Sequence, residues 1–180
     1  MKKIFAIALV AVFAFGLTSC NTDEKTLKEE YTEYLTGAKN GWVVSSAVSS
    51  PAMETSQGQV TDLLNGWMYN HEQDDAIIYK STGKLEIDPG KVLPGNGETG
   101  FTTAAEVGEW TLSEDGKTLT TVIPFVNSGD ATVADVTLNY MDEKTMKFTY
   151  YFKDTADDSE AAPQAKSGVE HTWSITYTKK

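Results

Sequence analysis

Two histidines, one adjacent pair of aspartates, a run of acids and a large aromatic set are the side chains that could carry chemistry here. His71 and His171 are the only histidines. Their nearest acids lie on separate segments, no Ser-His-Asp order points to a triad, and neither ring stands at a metal-ligand spacing from the other. His171 falls on the apolar side of an alternating segment, near its end. There it either orients a ligand at the mouth of a barrel or sits as a half-buried rim residue bonded to a neighbouring strand or water. Asp74 and Asp75 are an obvious carboxylate couple, but adjacent strand residues point to opposite faces. They share a substrate only if an irregular turn holds them. Asp154, Asp157, Asp158 and Glu160 crowd one segment without the spacing or central glycine of a regular calcium loop, which reads as a solvated acidic loop, with adventitious cation binding as the alternative. No catalytic residue, metal site or cofactor is expected, and the chain is not expected to be an enzyme.

Cys20, the only cysteine among 180 residues, has a different use. Lys2 and Lys3 precede an apolar run from Ile4 to Leu17, shorter than the ~20 residues of a membrane-spanning helix and suited to a signal sequence. Leu17-Thr18-Ser19-Cys20 looks like a bacterial lipobox. By that resemblance Cys20 is lipidated and becomes the N-terminus, with residues 1–19 removed; the alternative is a plain secretory signal with a chance cysteine at its end. Each buried methylene of such an anchor contributes ~0.8 kcal/mol, so more than one acyl chain holds stably. A lipidated Cys20 leaves the remaining chain without a thiol, which excludes disulfides, thiol catalysis and cysteine-based zinc sites.

Charge narrows the partners. The chain has 15 Lys+Arg, all of them Lys, against 26 Asp+Glu, for a formal charge of −11. Loss of residues 1–19 removes two Lys and no acid, so the other 161 residues carry −13. That balance argues against nucleic acid, which needs a basic surface. Having no Arg also removes the usual bidentate clamp for phosphate. The length suits one domain with its own core: signal 1–19, acidic tether 20–26, folded domain 27–180.

The elements that position these side chains follow from periodicity. Leu27, Tyr31, Tyr34 and Leu35 make one stripe of a short helix ending near Gly37. Beyond it the period falls to two. The expected strands are 42–48, 67–70, 76–80, 84–88, 107–112, 118–125, 133–140, 145–153 and 169–177. Val169, His171, Trp173, Ile175 and Tyr177 share one face, as do Met146, Phe148, Tyr150 and Phe152, and Ala134, Val136, Leu138 and Tyr140. One buried and one wet face is the antiparallel pattern. Ser81-Thr82-Gly83, Glu114-Asp115-Gly116 and Met141-Asp142-Glu143-Lys144 are short enough for hairpins, and Asp-Gly is a strong hairpin dipeptide. Loops are expected at 49–62, 89–104 and 154–168. The class is therefore all-β: about eight strands in an up-and-down antiparallel barrel behind a short N-terminal helix, because closure removes exposed edges. A sandwich is the competing architecture.

Small barrels fill their interior with side chains or hold one small ligand. The inward aromatics are therefore core or cup. The candidate ligand-lining set is Trp42, Trp110, Tyr140, Phe148, Tyr150, Phe152, His171 and Trp173, of which Tyr140, Tyr150, His171 and Trp173 carry polar handles.

A series of short motifs runs along the chain: Gly41-Trp42-Val43, Ser50-Pro51-Ala52, Gln59-Val60-Thr61-Asp62, Asp74-Asp75, Gly83, Asp88-Pro89-Gly90, Gly108-Glu109-Trp110 and Asp115-Gly116-Lys117-Thr118-Leu119. In order and spacing the chain resembles the lipocalin-like lipoproteins of Bacteroidetes, a family of unknown function. The resemblance implies a calycin-type barrel. Asn21-Thr22-Asp23-Glu24-Lys25-Thr26 is similar to the acidic segment of surface-displayed lipoproteins in the same phylum. Two departures stand out. The family often carries a Cys where His71 stands and a second after the next strand, and neither is present. True lipocalins pair a first-strand Gly-x-Trp with a last-strand Arg, whereas Gly41 abuts Trp42 and the chain has no Arg.

The functional expectation is an outer-membrane lipid-anchored protein, facing the periplasm or the cell surface. It is expected to be a non-catalytic monomer that binds a small apolar or amphipathic ligand and meets the membrane through its N-terminal lipid. The alternative is a surface module for glycan or protein, with exposed aromatics around Trp67, Tyr69 and Tyr151.

Overall fold

The computed structural model describes residues 25–55, 58–127, 130–153 and 169–180. The signal, Cys20, most of the tether and the acidic run 154–160 lie outside them. Helix α1 (Leu27–Gly37) begins at a capping box, in which the Thr26 side chain accepts from Glu29 N–H and the Glu29 carboxylate accepts from Thr26 N–H. Ten strands and one helical turn follow: β1 (Trp42–Thr55), β2 (Gly58–Asp62), α2 (Leu63–Gly66), β3 (Ala76–Tyr79), β4 (Lys84–Asp88), β5 (Ala105–Glu109), β6 (Thr111–Leu112), β7 (Thr118–Asn127), β8 (Asp130–Met141), β9 (Thr145–Lys153) and β10 (Glu170–Lys179).

Every pairing is antiparallel, and the order is β5-β4-β3-β1-β10-β9-β8-β7-β6, with β2 paired to β1 alone. The last strand meets the first from Trp42↔Lys179 to Ser50↔Thr172. Strands β5 and β6 are consecutive, separated by Trp110, and stand at the two ends of the order, so one segment brings the sheet round on itself. The result is a nearly closed up-and-down barrel, and the sandwich is set aside.

Three hairpins form as their turns predict. Gly83 and Gly116 take φ of 84° and 70°, a region that side chains with a Cβ avoid. In the third hairpin the Asp142 carboxylate accepts from the N–H groups of Lys144 and Thr145. Gly41 is needed for two reasons: its φ is 83°, and a Cβ there would stand 2.8 Å from the Ile77 carbonyl oxygen.

Several expected elements are corrected. Residues 67–70 form no strand; α2 precedes them, and Trp67 and Met68 both donate to the Leu63 carbonyl. That turn lets two consecutive large residues pack, which a strand would place on opposite faces. Residues 49–62 are largely strand, because β1 runs on to Thr55 and folds back as β2. The run 107–112 is broken at Trp110, whose backbone N–H goes to Gly83 O and whose indole N–H goes to Lys80 O. The inward face of 133–140 does not reach Tyr140. The register slips between Leu138↔Phe148 and Tyr140↔Lys147, and this bulge turns Tyr140 outward, 46% exposed, with its hydroxyl on Asp142.

The barrel has unlike ends. Short turns and the C-terminus gather at one, where Lys180 N–H donates to Gly41 O. Helix α1 lies across it: Lys28 pairs with Glu114, Leu27 packs over Gly116, Leu35 and Ala38 are buried, and the Trp42 indole donates to Leu35 O at 3.5 Å. Above α1 buried aromatics pack against one another. Phe148 stacks on Tyr177, centroids 5.5 Å apart. Tyr79 meets Trp110 edge-on at 5.7 Å and shares a 2.6 Å hydrogen bond with Thr121.

Candidate functional site

At the end away from α1, two bulges in β1 decide the geometry. The first, at Ser45, changes which residues face inward, so that Trp42 and Val44 are followed by Ala47 and Ser49. The second lies between Val48 and Met53 and contains Ser50–Pro51, whose peptide is cis. Pairing of β1 with β10 stops at Ser50, while β1 continues into the β1–β2 hairpin. A wedge opens between that hairpin and the first residues of β10. It is a cavity of about 320 Å³ lined by Pro51, Ala52, Glu54, Gln59, Val169 and His171, at the small end of the ~300–1,000 Å³ typical of ligand pockets.

Its polar groups are held from behind. His171, 3% exposed, lies 3.0 Å from the Pro51 carbonyl through Nδ1. A carbonyl only accepts, so Nδ1 carries the proton. Ser49, also buried, donates to the same carbonyl at 2.7 Å and lies 3.4 Å from the His171 Nδ1. This Ser–His pair is not arranged for nucleophilic attack. The hydroxyl proton is spent on Pro51, and the nearer ring nitrogen is a donor, whereas a catalytic base must accept. Glu54 and Gln59 are direct cross-strand partners on the hairpin, which places both at the cavity.

Beneath His171, two residues along β10, Trp173 is fully buried and meets Trp67 and Tyr150 edge-on, at 6.2 and 5.9 Å. Trp67 and Tyr150 are half-buried, so this cluster joins the core to the open end. The other candidates divide. Trp42, Trp110 and Phe148 are core; Tyr140 is on the outer surface; the Phe152 side chain lies outside the described residues, although its backbone pairs with His171.

A second cavity, of about 410 Å³, lies between residues 68–71 and the connection from β4 to β5, lined among others by Tyr69, His71, Val92, Leu93 and Glu98. His71 donates through Nε2 to Thr99 O at 3.1 Å, stands 3.4 Å from Glu98 and stacks on Tyr69. Asp75 accepts from Gly90 N–H, and Asp74 from Lys91 and Val92 N–H. The adjacent aspartates do sit in an irregular turn, yet they serve as clamps on one loop. Burial pushes the Asp75 carboxyl up to about 6, against the lowering effect of the Gly90 N–H.

Sequence reasoning found His171 but missed Ser49, Pro51, Glu54 and Gln59 as site residues, and it placed Trp67 on an exposed surface where the structure packs it against Trp173. Only His171 stood on a clean alternating run. The others depend on bulges and on contacts spanning about 120 residues, for which local pattern carries no signal. Among the described residues no group of three or more His, Cys, Asp or Glu could hold a metal ion, and no helix is long and apolar enough to cross a membrane.

The fold and the wedge define a class, a small antiparallel barrel with helix α1 across one end, where an open hollow of about 330 Å³ lies between Tyr34 and Asp142–Lys144, and with the wedge and the second cavity at the other end. No protein-family model matches the chain, and no curated protein matches it.

Proposed function

We propose that this protein is a lipid-anchored binding module that takes a small apolar or amphipathic ligand at the open end of its barrel and performs no catalysis. The observation that carries this reading is the 320 Å³ wedge, where apolar Pro51, Ala52 and Val169 stand beside polar Glu54, Gln59 and His171. Such a mixture buries a tail and orients a head group. The Ser49–His171 geometry supports a positioning role over a nucleophilic one. The lipobox-like Leu17-Thr18-Ser19-Cys20 supports anchoring through Cys20 at the outer membrane, facing the periplasm or the cell surface. The ordered motifs support kinship with the lipocalin-like lipoproteins of Bacteroidetes, and the charge of −11 supports partners other than nucleic acid. We read the chain as a monomer.

Native mass spectrometry of the protein purified from its cell envelope tests the function. A co-purifying small molecule that is lost on His171→Ala is the expected result. A protein that emerges empty, with neither lipid nor other small molecule, counts against it.

A second reading draws on the other cavity. Tyr69, Val92 and Leu93 are 41–52% exposed around it, and such a patch suits a glycan or protein surface. Of the residues expected to form that surface, Tyr151 is exposed, while Trp67 is half-buried against Trp173. Tyr69→Ala abolishing glycan or protein capture while leaving small-molecule retention intact would favour this reading.

A further inference from the structure

Helix α1 also fixes where the chain enters the barrel. Thr26 caps the helix, and Lys25 pairs with Glu33 at 2.6 Å. Leu27 lies over Gly116 and Lys28 pairs with Glu114, so the chain enters beside the β6–β7 turn, at the end that α1 crosses. Cys20 stands five residues before Lys25. At ~3.6 Å per residue, that stretch spans no more than ~18 Å however it is arranged. The barrel is taller. Strand β10 runs ten residues from Lys179, paired with Trp42 beside α1, to Glu170. That is about 30 Å at ~3.3 Å per residue, or about 23 Å along the axis at a usual strand tilt. Strand β1 continues beyond its last pairing with β10, at Ser50, as far as Thr55. Both cavities lie at this far end.

Resting on the lipid-anchoring reading above, we infer that Cys20 holds the barrel with its α1 end toward the bilayer and its two cavities turned away, into the aqueous phase. Inverting the domain would lift Lys25 above the lipid by the full height of the barrel, farther than a tether of ~18 Å allows. Acids outnumber lysines by 26 to 15, which also opposes laying a flank of the domain along an anionic leaflet, where basic residues are needed. The α1 end is therefore the lipid-facing surface. The wedge and the second cavity meet ligands or partners that arrive through water, and a molecule embedded in the anchoring bilayer is out of reach of both.

Energy transfer to the membrane surface tests the orientation. Cys20 is the only cysteine, so once it is acylated a single introduced cysteine alone takes a fluorescent donor. Lys39→Cys, just after α1, and Asn96→Cys, in the connection from β4 to β5, put that donor at exposed positions on the two ends. The lipidated proteins are reconstituted in phosphatidylcholine vesicles carrying a headgroup-linked acceptor. The Lys39→Cys donor is expected to be quenched about twofold or more beyond the Asn96→Cys donor, because the ends differ in height by about 23 Å. Adding about thirty Gly and Ser residues between Cys20 and Lys25, a tether of about 30 Å r.m.s. length, is expected to narrow the difference. Equal quenching with the native tether, or stronger quenching at Asn96→Cys, overturns the orientation and leaves the anchoring standing. A difference unmoved by the longer tether overturns the tether as its cause. A purified protein whose mass shows no acyl group on Cys20 overturns the anchoring reading and the inference together.

Discussion

Beneath α1, hairpins are joined by turns of three to five residues, and the helix packs over them with Leu27, Leu35 and Ala38. At the opposite end, β1 leaves its partner at Ser50, sixteen residues separate β4 from β5, and two cavities open between these segments. The same barrel therefore has one end built for stability and one whose polar side chains are held by backbone carbonyls and N–H groups. Trp42 and His171 mark the contrast. Both are buried and both donate to a carbonyl, but Trp42 closes the core under a helix, whereas His171 borders a cavity. A rigid floor beneath a more open rim is how small barrels combine folding with recognition.

Breaking the floor should cost most. Trp42→Ala is expected to lower stability by about 3–5 kcal/mol in urea unfolding, since a large buried ring leaves a cavity that its neighbours only partly fill. A loss below about 1 kcal/mol would show that the covered end is not the rigid one.

The clamp at the open end should show as a pH dependence. Burial raises the folded-state carboxyl of Asp75 to about 6, above its unfolded value, so folding favours its protonated form. Its stabilising contribution is present below about pH 4 and is lost as pH rises through about 6. The loss is roughly 1–2 kcal/mol once solvent screening is allowed for. Asp75→Asn should flatten that arm of the stability–pH curve in chemical denaturation. An unaltered slope would remove Asp75 from the account.

His171→Ala should separate the ends by function. Binding of a neutral short-chain amphiphile, followed by calorimetry, is expected to weaken about tenfold, while Trp42→Phe at the floor should leave it within about twofold. Equal effects from the two would dissolve the distinction.

The smallest effect lies in the layer between the ends. Tyr79 hydrogen-bonds Thr121, whereas the buried Tyr177 hydroxyl has no hydrogen-bond partner among the described residues. Tyr79→Phe should cost about 1 kcal/mol by stranding the Thr121 hydroxyl, and Tyr177→Phe should be neutral or slightly stabilising. The pair of melting temperatures gives the comparison directly.

Fold and site were legible to different depths. The alternation of Met146 to Phe148 and of His171 to Tyr177 was enough for β9 and β10 and for their buried faces. The dipeptides Thr82-Gly83 and Asp115-Gly116 marked turns, because only glycine accommodates their φ without strain. Alternation misled at Tyr140, since one unpaired residue in β8 reverses which face follows it. It also missed the β1–β2 hairpin, where Ser50-Pro51 reads as a loop. Trp67-Met68 looked like strand because buried helical turns and buried strands are alike over four residues.

By itself the sequence determined the class, hairpin-linked antiparallel strands behind one short helix, from residues whose period and turn chemistry act over a few positions. It also bounded the chemistry through its charge, its single cysteine and its lack of arginine. That the sheet closes into a barrel and not a sandwich was decided by β5 and β6 standing at the two ends of the strand order. Only the tertiary structure decided which aromatics are core, which way Tyr140 turns, and that Pro51, Glu54, Gln59 and His171 meet at one cavity with Ser49 bonded behind it. Those outcomes depend on register, on bulges and on pairing between residues about 120 positions apart, and a local pattern contains none of these.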